Sequence, residues 1–278
     1  MKEKDRYVRL RAIKEFGYDI DWDTLKKFSI GIIGVGGLGC VSSELVVRCG
    51  VGTVVLFDFD KVDVINLNRC MYKPRDVGLP KVEVAAKYLK EVNPDVNLRV
   101  YNKDIMDINF EETFEKELSQ MDIVLNGLDN LAAREYLNAK CISLRVPYID
   151  AGASRSGLSG YVHPIIPFKT ACAACLSNYN MSLPEERGEP CVASLPSTMT
   201  ILASIQVQEM LKYLLKFGSM IDYLMYSMIT GEFLHYKTKR DNNCLICGKK
   251  SKKASSMKSK ISKDELDKII DSMKKRVE

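Results

Sequence analysis

The amino-acid sequence predicts an α/β fold: a doubly wound, mostly parallel sheet with an antiparallel extension. Three observations carry that expectation. Short β-branched runs alternate with helix-length segments over residues 29–151, the first run ends in a glycine-rich turn, and beyond Gly152 paired strands flank one long apolar helix.

The elements follow in chain order. Residues 29–34 (SIGIIG) read as a buried first strand, and the stretch onward to Cys49 as a helix. Residues 53–58 (TVVLFD) make a second buried strand. Pro80 opens a helix that runs to Val92 and stops before Asn93-Pro94. Strands are expected at 96–101 and 122–126, then a helix over 131–144 and a strand over 146–151. Past Gly152, residues 160–166 and 222–238 read as antiparallel strands, the latter with a turn at Thr230-Gly231-Glu232. A long helix over 196–217 lies between them, with Gly218 as its left-handed C′ residue. Trp22, ahead of the first strand, is expected to anchor the core.

The 278 residues therefore divide into a folded body over 1–248 and a tail over 249–278. In the tail, residues 249–262 are rich in Lys and Ser and predict a disordered linker. Leu266, Ile269, Ile270 and Met273 then share one face of a short amphipathic helix. The net charge of +5 belongs to this tail, which holds 10 Lys and 1 Arg against 5 acidic residues. The body balances near −1, so it lacks the basic footprint of a nucleic-acid-binding domain. With 46% hydrophobic and 28% charged residues the composition excludes whole-chain disorder, collagen and coiled coil. No apolar run is long enough to cross a bilayer, so no membrane span is expected. Residues 1–11 are dense in charge without an apolar h-region, which predicts no secretory leader and a cytoplasmic location.

The first chemical motif is GVGGLG at 34–39, a G-x-G-x-x-G between a strand and a helix. Gly34, Gly36, Gly37 and Gly39 let backbone approach a phosphate, and the helix N-terminus offers N–H groups to the anion. Asp58 closes the second strand, the place in this motif where a carboxylate can meet a ribose hydroxyl. The motif makes the domain Rossmann-like but does not separate NAD, FAD and ATP. The charged residues that follow do. Asn66, Arg69, Lys81, Asp129 and Asn130 form a set that a dehydrogenase does not need. An enzyme cleaving ATP between its α- and β-phosphates needs cations for the developing charge and a carboxylate for Mg²⁺.

The run GVGGLG, LFDFDKVDVINLNR, GLPKVEVAA, NPDV, GLDN is similar to the adenylation domain of the ubiquitin-like modifier-activating enzymes and of their bacterial relatives ThiF and MoeB, over roughly residues 5–248. Within that family, PCVASLPSTM and the CAAC and CLIC pairs look most like the activators of the ubiquitin-fold modifier. The resemblance implies a homodimer that uses Mg-ATP to adenylate the C-terminal glycine of a small β-grasp protein. It implies that Gly37 and Asp58 contact the nucleotide, that Asn66, Arg69 and Lys81 lie near the phosphates, and that Asp129 is the Mg²⁺-linked acid with Asn130 beside it. Arg9 matches an arginine that reaches into the partner subunit's site. Asp104, also assigned to the nucleotide, stands where the pattern carries Asn.

Nine cysteines, an odd number without a leader, argue against a disulfide framework. Cys172, Cys175, Cys244 and Cys247 form two C-x-x-C pairs that suit tetrahedral Zn²⁺, a reading the resemblance strengthens. The long stretch of chain between Cys175 and Cys244 would make the metal a staple between distant segments. A redox C-x-x-C and unrelated buried cysteines are the alternatives. Cys191 precedes the long helix, whose positive end favours a thiolate. The resemblance makes it the nucleophile that takes the modifier as a thioester for a conjugating enzyme. Cys40, Cys49, Cys70 and Cys141 read as packing residues, and His163 and His235 as structural histidines. The rival functions are a sulfur-carrier adenylyltransferase of ThiF/MoeB type, a nucleotide-binding scaffold that recruits partners through the basic tail, and a plain dehydrogenase.

Overall fold

The computed structural model describes residues 5–177 and 193–248. One eight-stranded sheet runs through it in the order β3-β2-β1-β4-β5-β6-β7-β8. Strands β1 (Ser29–Ile33), β2 (Thr53–Phe57), β3 (Asn97–Tyr101), β4 (Ile123–Asn126) and β5 (Tyr148–Ala153) are mutually parallel. Strands β6 (Ser159–Ile165), β7 (Tyr223–Ser227) and β8 (Glu232–Tyr236) continue the sheet antiparallel. The expected fold class is the observed one, and β5 and β6 differ from their expected limits by a residue or two.

Alternate side chains of each central strand enter two different cores, which is why these strands read as unbroken apolar runs. Ile30, Ile32, Val54 and Leu56 pack on one face, beneath α2 (Gly37–Cys49), α3 (Lys81–Val92) and α7 (Pro196–Leu215). Ile33, Val55 and Phe57 pack on the other, beneath α4 (Glu111–Ser119) and α5 (Leu131–Leu144). Trp22 packs against the first core with its ring 6.1 Å from Phe217.

Two departures from the sequence expectation have physical reasons. Helix α4, absent from the sequence reading, buries Phe114 and Leu118 but is otherwise mostly charged and short. The parallel β3 and β4 nevertheless require a crossover between them, and α4 supplies it. The long helix ends at Leu215, two residues early, and Lys216 rather than Gly218 takes the left-handed position that closes it, at φ 57°. The Lys216 ammonium lies 4.2 Å over the Tyr213 ring, a contact that helps a non-glycine residue hold that conformation.

Both histidines lie in strands, His163 buried in β6 and His235 exposed in β8. Burial lowers the His163 pKa to about 4, against the opposing pull of the Asp150 and Asp222 carboxylates. A histidine depressed from its unfolded value contributes stability that is fully present above about pH 6.5 and lost as pH falls toward 4. His163→Gln is therefore expected to flatten the fall in unfolding free energy over that window, by up to roughly 3 kcal/mol. Urea melts of both proteins at several pH values check this.

Candidate functional site

In the sheet, β1 has β2 on one side and β4 on the other, so the chain's winding reverses between β1 and β4. The crevice outside the carboxyl ends of strands at such a point is where open α/β sheets bind ligands. A cavity of about 700 Å³ lies there. Its walls hold Gly34, Gly36, Gly37, Asp58, Asn66, Arg69, Lys81, Asp104, Asp129 and Asn130, all singled out from sequence.

The four glycines have different duties. Gly34 (φ +85°) turns the chain out of β1, and a Cβ on it would stand 2.9 Å from the Gly127 backbone. A Cβ on Gly39 would overlap the Gly34 carbonyl oxygen, so this glycine serves the approach of helix to strand. Gly37 faces Arg69, whose Cδ is 3.1 Å from the Cβ position. Gly36 is extended, caps α2 without a side chain, and has nothing within 4 Å of its Cβ position. Its open corner at the helix N-terminus has the shape and polarity that an anionic group requires.

Charge is gathered around that corner. The Lys81 ammonium is buried and donates to Asp60 Oδ2 at 2.7 Å. Burial disfavours its charge, but Asp58 and Asp60 outweigh burial and leave its pKa raised. Asp58 accepts from the Val35 N–H at 2.7 Å and the Asp60 N–H at 2.9 Å, while burial raises its pKa against the pull of Lys81. Asn66 is buried and accepts from the Asp63 N–H at 2.9 Å. Arg69 donates to the Ile65 carbonyl at 2.6 Å and to Asn68 Oδ1 at 3.0 Å. Asp129 is exposed at the turn after β4, and Asp104 accepts from the Met106 N–H at 2.9 Å. Asn130 spends its carboxamide oxygen capping α5 through the Ala133 N–H at 2.8 Å. Arg9 is exposed on α1 (Val8–Arg11) and lies outside the cavity wall. Cys191 lies outside the described residues.

Sequence reasoning missed the floor of this cavity. Arg134 on α5 donates to Asp150 Oδ1 at 2.5 Å, to the Tyr161 hydroxyl at 3.0 Å and to the Ala151 carbonyl at 2.9 Å, and also bonds the Leu128 carbonyl. Tyr161 donates to Asp150 Oδ2 at 2.8 Å, and Asn126 to Oδ1 at 2.7 Å. Arg134 thereby ties the Leu128 carbonyl, the residue before Asp129, to β5 and β6. Its one sequence signal is an arginine one helical turn after Asn130, facing back along the helix toward the turn.

A second centre lies apart from the cavity. Cys172, Cys175, Cys244 and Cys247 are all buried and their sulfurs lie within 4.8 Å of one another. The shorter separations are 3.4 Å (Cys175–Cys247), 3.7 Å (Cys172–Cys244) and 3.8 Å (Cys172–Cys175). Sulfurs at tetrahedral corners around Zn²⁺ stand roughly 3.8 Å apart, given Zn–S of about 2.3 Å. The donor set and spacing fit zinc, closed by four thiolates with no open position for catalysis. The site joins α6 (Ala173–Ser177) to the segment after β8. One Zn²⁺ per chain is the expected result of elemental analysis. Cys172→Ser or Cys244→Ser should lower the melting temperature by several degrees, because metal binding contributes folding free energy. Carefully purified protein without metal would contradict this.

Residues 7–248 match the ThiF family. Ubiquitin-like modifier-activating enzyme 5 of Gallus gallus is 37% identical over 256 residues, which are 87% of this chain and 64% of that protein. The Bombyx mori enzyme of the same name is 36% identical over 243 residues, 83% of this chain and 62% of that protein. The chain thus spans less than two thirds of the length of these curated relatives. Among solved structures, E. coli MccB with ATP aligns with a TM-score of 0.75 at 22% identity, covering 88% of this chain and 75% of that one. The microcin C7 biosynthetic enzyme MccB in complex with N-formylated MccA aligns with a TM-score of 0.76 at 22% identity, covering 88% and 76%. These structures share the doubly wound fold. No described helix is long and apolar enough to cross a membrane. With a match that runs from the first described helix to the last cysteine pair, the chain belongs to the ThiF family.

Proposed function

We propose that this protein activates a ubiquitin-like protein in two steps. In the first, the modifier's C-terminal carboxylate attacks the α-phosphorus of ATP and pyrophosphate leaves. In the second, the Cys191 thiolate attacks the acyl carbon of the adenylate, AMP leaves, and the thioester passes to a conjugating enzyme. The observation that carries the first step is the gathering of Lys81, Arg69 and Asp129 around the open Gly36 corner of one cavity.

Each residue has a role that follows from its surroundings. Lys81, pinned by Asp60, is a cation already oriented and desolvated, so it can stabilise phosphate charge without reorganising. Arg69 offers a second cation on the far side of Gly37. Asp58 is the ribose acceptor, with Asn66, Asp104 and Asn130 as further polar contacts. Mg²⁺ arriving with ATP would be held by Asp129 and would neutralise phosphate charge. Residues 1–248 form the adenylation domain on this reading, and residues 249–278 are a docking tail dispensable for adenylation. The active form is a homodimer in which Arg9 serves the partner's site, and zinc is structural. The names of the curated relatives support a ubiquitin-like substrate, and the ATP held by the fold neighbour MccB supports the choice of nucleotide.

A sulfur-carrier adenylyltransferase would share the first step and differ only in the fate of the acyl group. Calorimetric titration tests the nucleotide assignment. The Mg²⁺ complex of α,β-methylene-ATP should bind one equivalent per chain, and NADH should not. Binding of NADH in preference to the ATP analogue would replace this reading with the dehydrogenase.

A further inference from the structure

We infer that Arg134 is a positioning residue for adenylation. By holding the Leu128 carbonyl it fixes the turn that presents Asp129, and so sets the affinity of the cavity for the Mg²⁺ that accompanies ATP. This rests on the proposed role of Asp129 and names the residue on which that role depends.

The Asp129 carboxylate is exposed and makes no hydrogen bond or ion pair among the described residues. Its direction is therefore set by the peptide groups beside it. The residue before it is held at both ends. The Leu128 N–H donates to Asn126 Oδ1 at 3.0 Å, and the Leu128 carbonyl accepts from Arg134 Nη2. Both holders are themselves fixed by one atom. Asp150 Oδ1 accepts from Asn126 Nδ2 at 2.7 Å and from Arg134 Nη1 at 2.5 Å. One residue earlier, the Gly127 N–H donates to the Ile33 carbonyl at 2.8 Å, and a Cβ on Gly127 would stand 3.0 Å from the Gly34 carbonyl oxygen. The inner half of the turn is thus pressed onto the glycine-rich corner, and the outer half depends on Arg134.

Arginine suits this place for reasons of geometry. Arg134 lies in the first turn of α5, where its N–H bonds the Asn130 carbonyl at 3.2 Å. Helical side chains lean toward the helix N-terminus, which carries the guanidinium back to the turn. Its planar fork reaches acceptors on the turn, on β5 (Asp150 and the Ala151 carbonyl) and on β6 (the Tyr161 hydroxyl). An ammonium, with all its donors on one nitrogen, cannot span them. The Arg134 side chain is 14% exposed and that of Asp150 6%, so solvent screens the pair little. Gly152 leaves the fork its space, because a Cβ there would stand 3.1 Å from Arg134 Nη2 and 2.8 Å from the Tyr161 ring.

Mg²⁺ takes oxygen ligands at about 2.1 Å in near-ideal octahedral geometry, so a carboxylate that meets it tolerates little displacement. Loosening the turn should therefore weaken the metal's contribution far more than the binding of the nucleotide alone. Groups that orient a metal ligand from behind typically account for about 10–100-fold in metal affinity.

Arg134→Lys tests this, since it keeps a positive charge beside Asp150 and loses the fork. Calorimetry with α,β-methylene-ATP, in excess Mg²⁺ and in EDTA, compares wild type, Asp129→Ala, Arg134→Lys and the double variant. Mg²⁺ should strengthen binding to wild type, and Asp129→Ala should abolish that gain. Arg134→Lys should remove most of the gain while binding in EDTA stays within about twofold of wild type. In pyrophosphate exchange it should need about tenfold more Mg²⁺ for half-maximal rate, and saturating Mg²⁺ should bring the rate to within about threefold of wild type. Added to Asp129→Ala, it should weaken binding by less than about a further twofold. A residue that only supports the fold would weaken binding equally with and without Mg²⁺ and add its full effect to that of Asp129→Ala. Either result would overturn the inference. Should Arg134→Lys fail to fold, Arg134→Gln combined with Asp150→Asn removes both buried charges together and carries the same expectations. Failure of the proposed role of Asp129 looks different. Asp129→Ala would then keep the full Mg²⁺ gain, or wild type would show none, and the inference would fall with that role.

Discussion

Lys81→Ala and Asp129→Ala should each lower carrier-dependent ATP–pyrophosphate exchange by about 10²–10³-fold, the scale of removing one preorganised charge from a transition state. The two variants carry different structural risks, which makes them a useful pair. Lys81 is buried and bonded to Asp60, so its loss leaves a half-exposed carboxylate without its partner. Asp129 is exposed and makes no hydrogen bond or ion pair among the described residues, so its loss should leave the melting temperature within about a degree. Exchange lost in Asp129→Ala with an unchanged melting temperature therefore reports on chemistry. Near-normal exchange in both variants would dissociate this cavity from adenylation. Arg9→Ala should be comparably defective, and mixing it with Lys81→Ala subunits should restore one working site per heterodimer.

Cys191→Ala should leave exchange intact and abolish a thiol-sensitive adduct between the protein and its carrier. A thiolate attacks a mixed anhydride readily, because AMP leaves well, and alanine offers no nucleophile. Cys191 lies outside the described residues, but the chain two positions on is fixed. The Ala193 N–H bonds the Arg155 carbonyl at 3.2 Å, and Ser194 and Met199 line the cavity. Wild type that exchanges pyrophosphate but forms no dithiothreitol-sensitive adduct would favour the sulfur-carrier reading.

What the sequence made legible was local. The G-x-G-x-x-G turn, Asp58 and the Pro80-Lys81 helix start each declare themselves within a few residues, because the backbone geometry that each needs is short-range. The two C-x-x-C pairs were legible in the same way, and only their meeting across a long stretch of chain needed the fold. The network beneath the cavity was not legible. Gln206 on α7 donates to the carbonyls of Asn126 at 2.9 Å and Ile149 at 2.8 Å and accepts from Ser42 at 2.7 Å, joining segments far apart in the chain. By periodicity Gln206 belongs to a helix with an apolar stripe, and nothing local marks it as buried. Helix α4 escaped because so few apolar residues in so short a helix give too weak a period.

The proposed first step joins AMP to a protein carboxylate in the cavity, and mass spectrometry of the carrier detects that product itself. The protein is incubated with Mg-ATP, inorganic pyrophosphatase and a purified ubiquitin-like protein ending in glycine, and the carrier and nucleotides are analysed together. With the Cys191→Ala protein the carrier should gain an adenylyl group, and the other products from ATP should be AMP and phosphate from hydrolysed pyrophosphate. ADP as a product, or AMP formed equally well with a carrier lacking its terminal glycine, would contradict it.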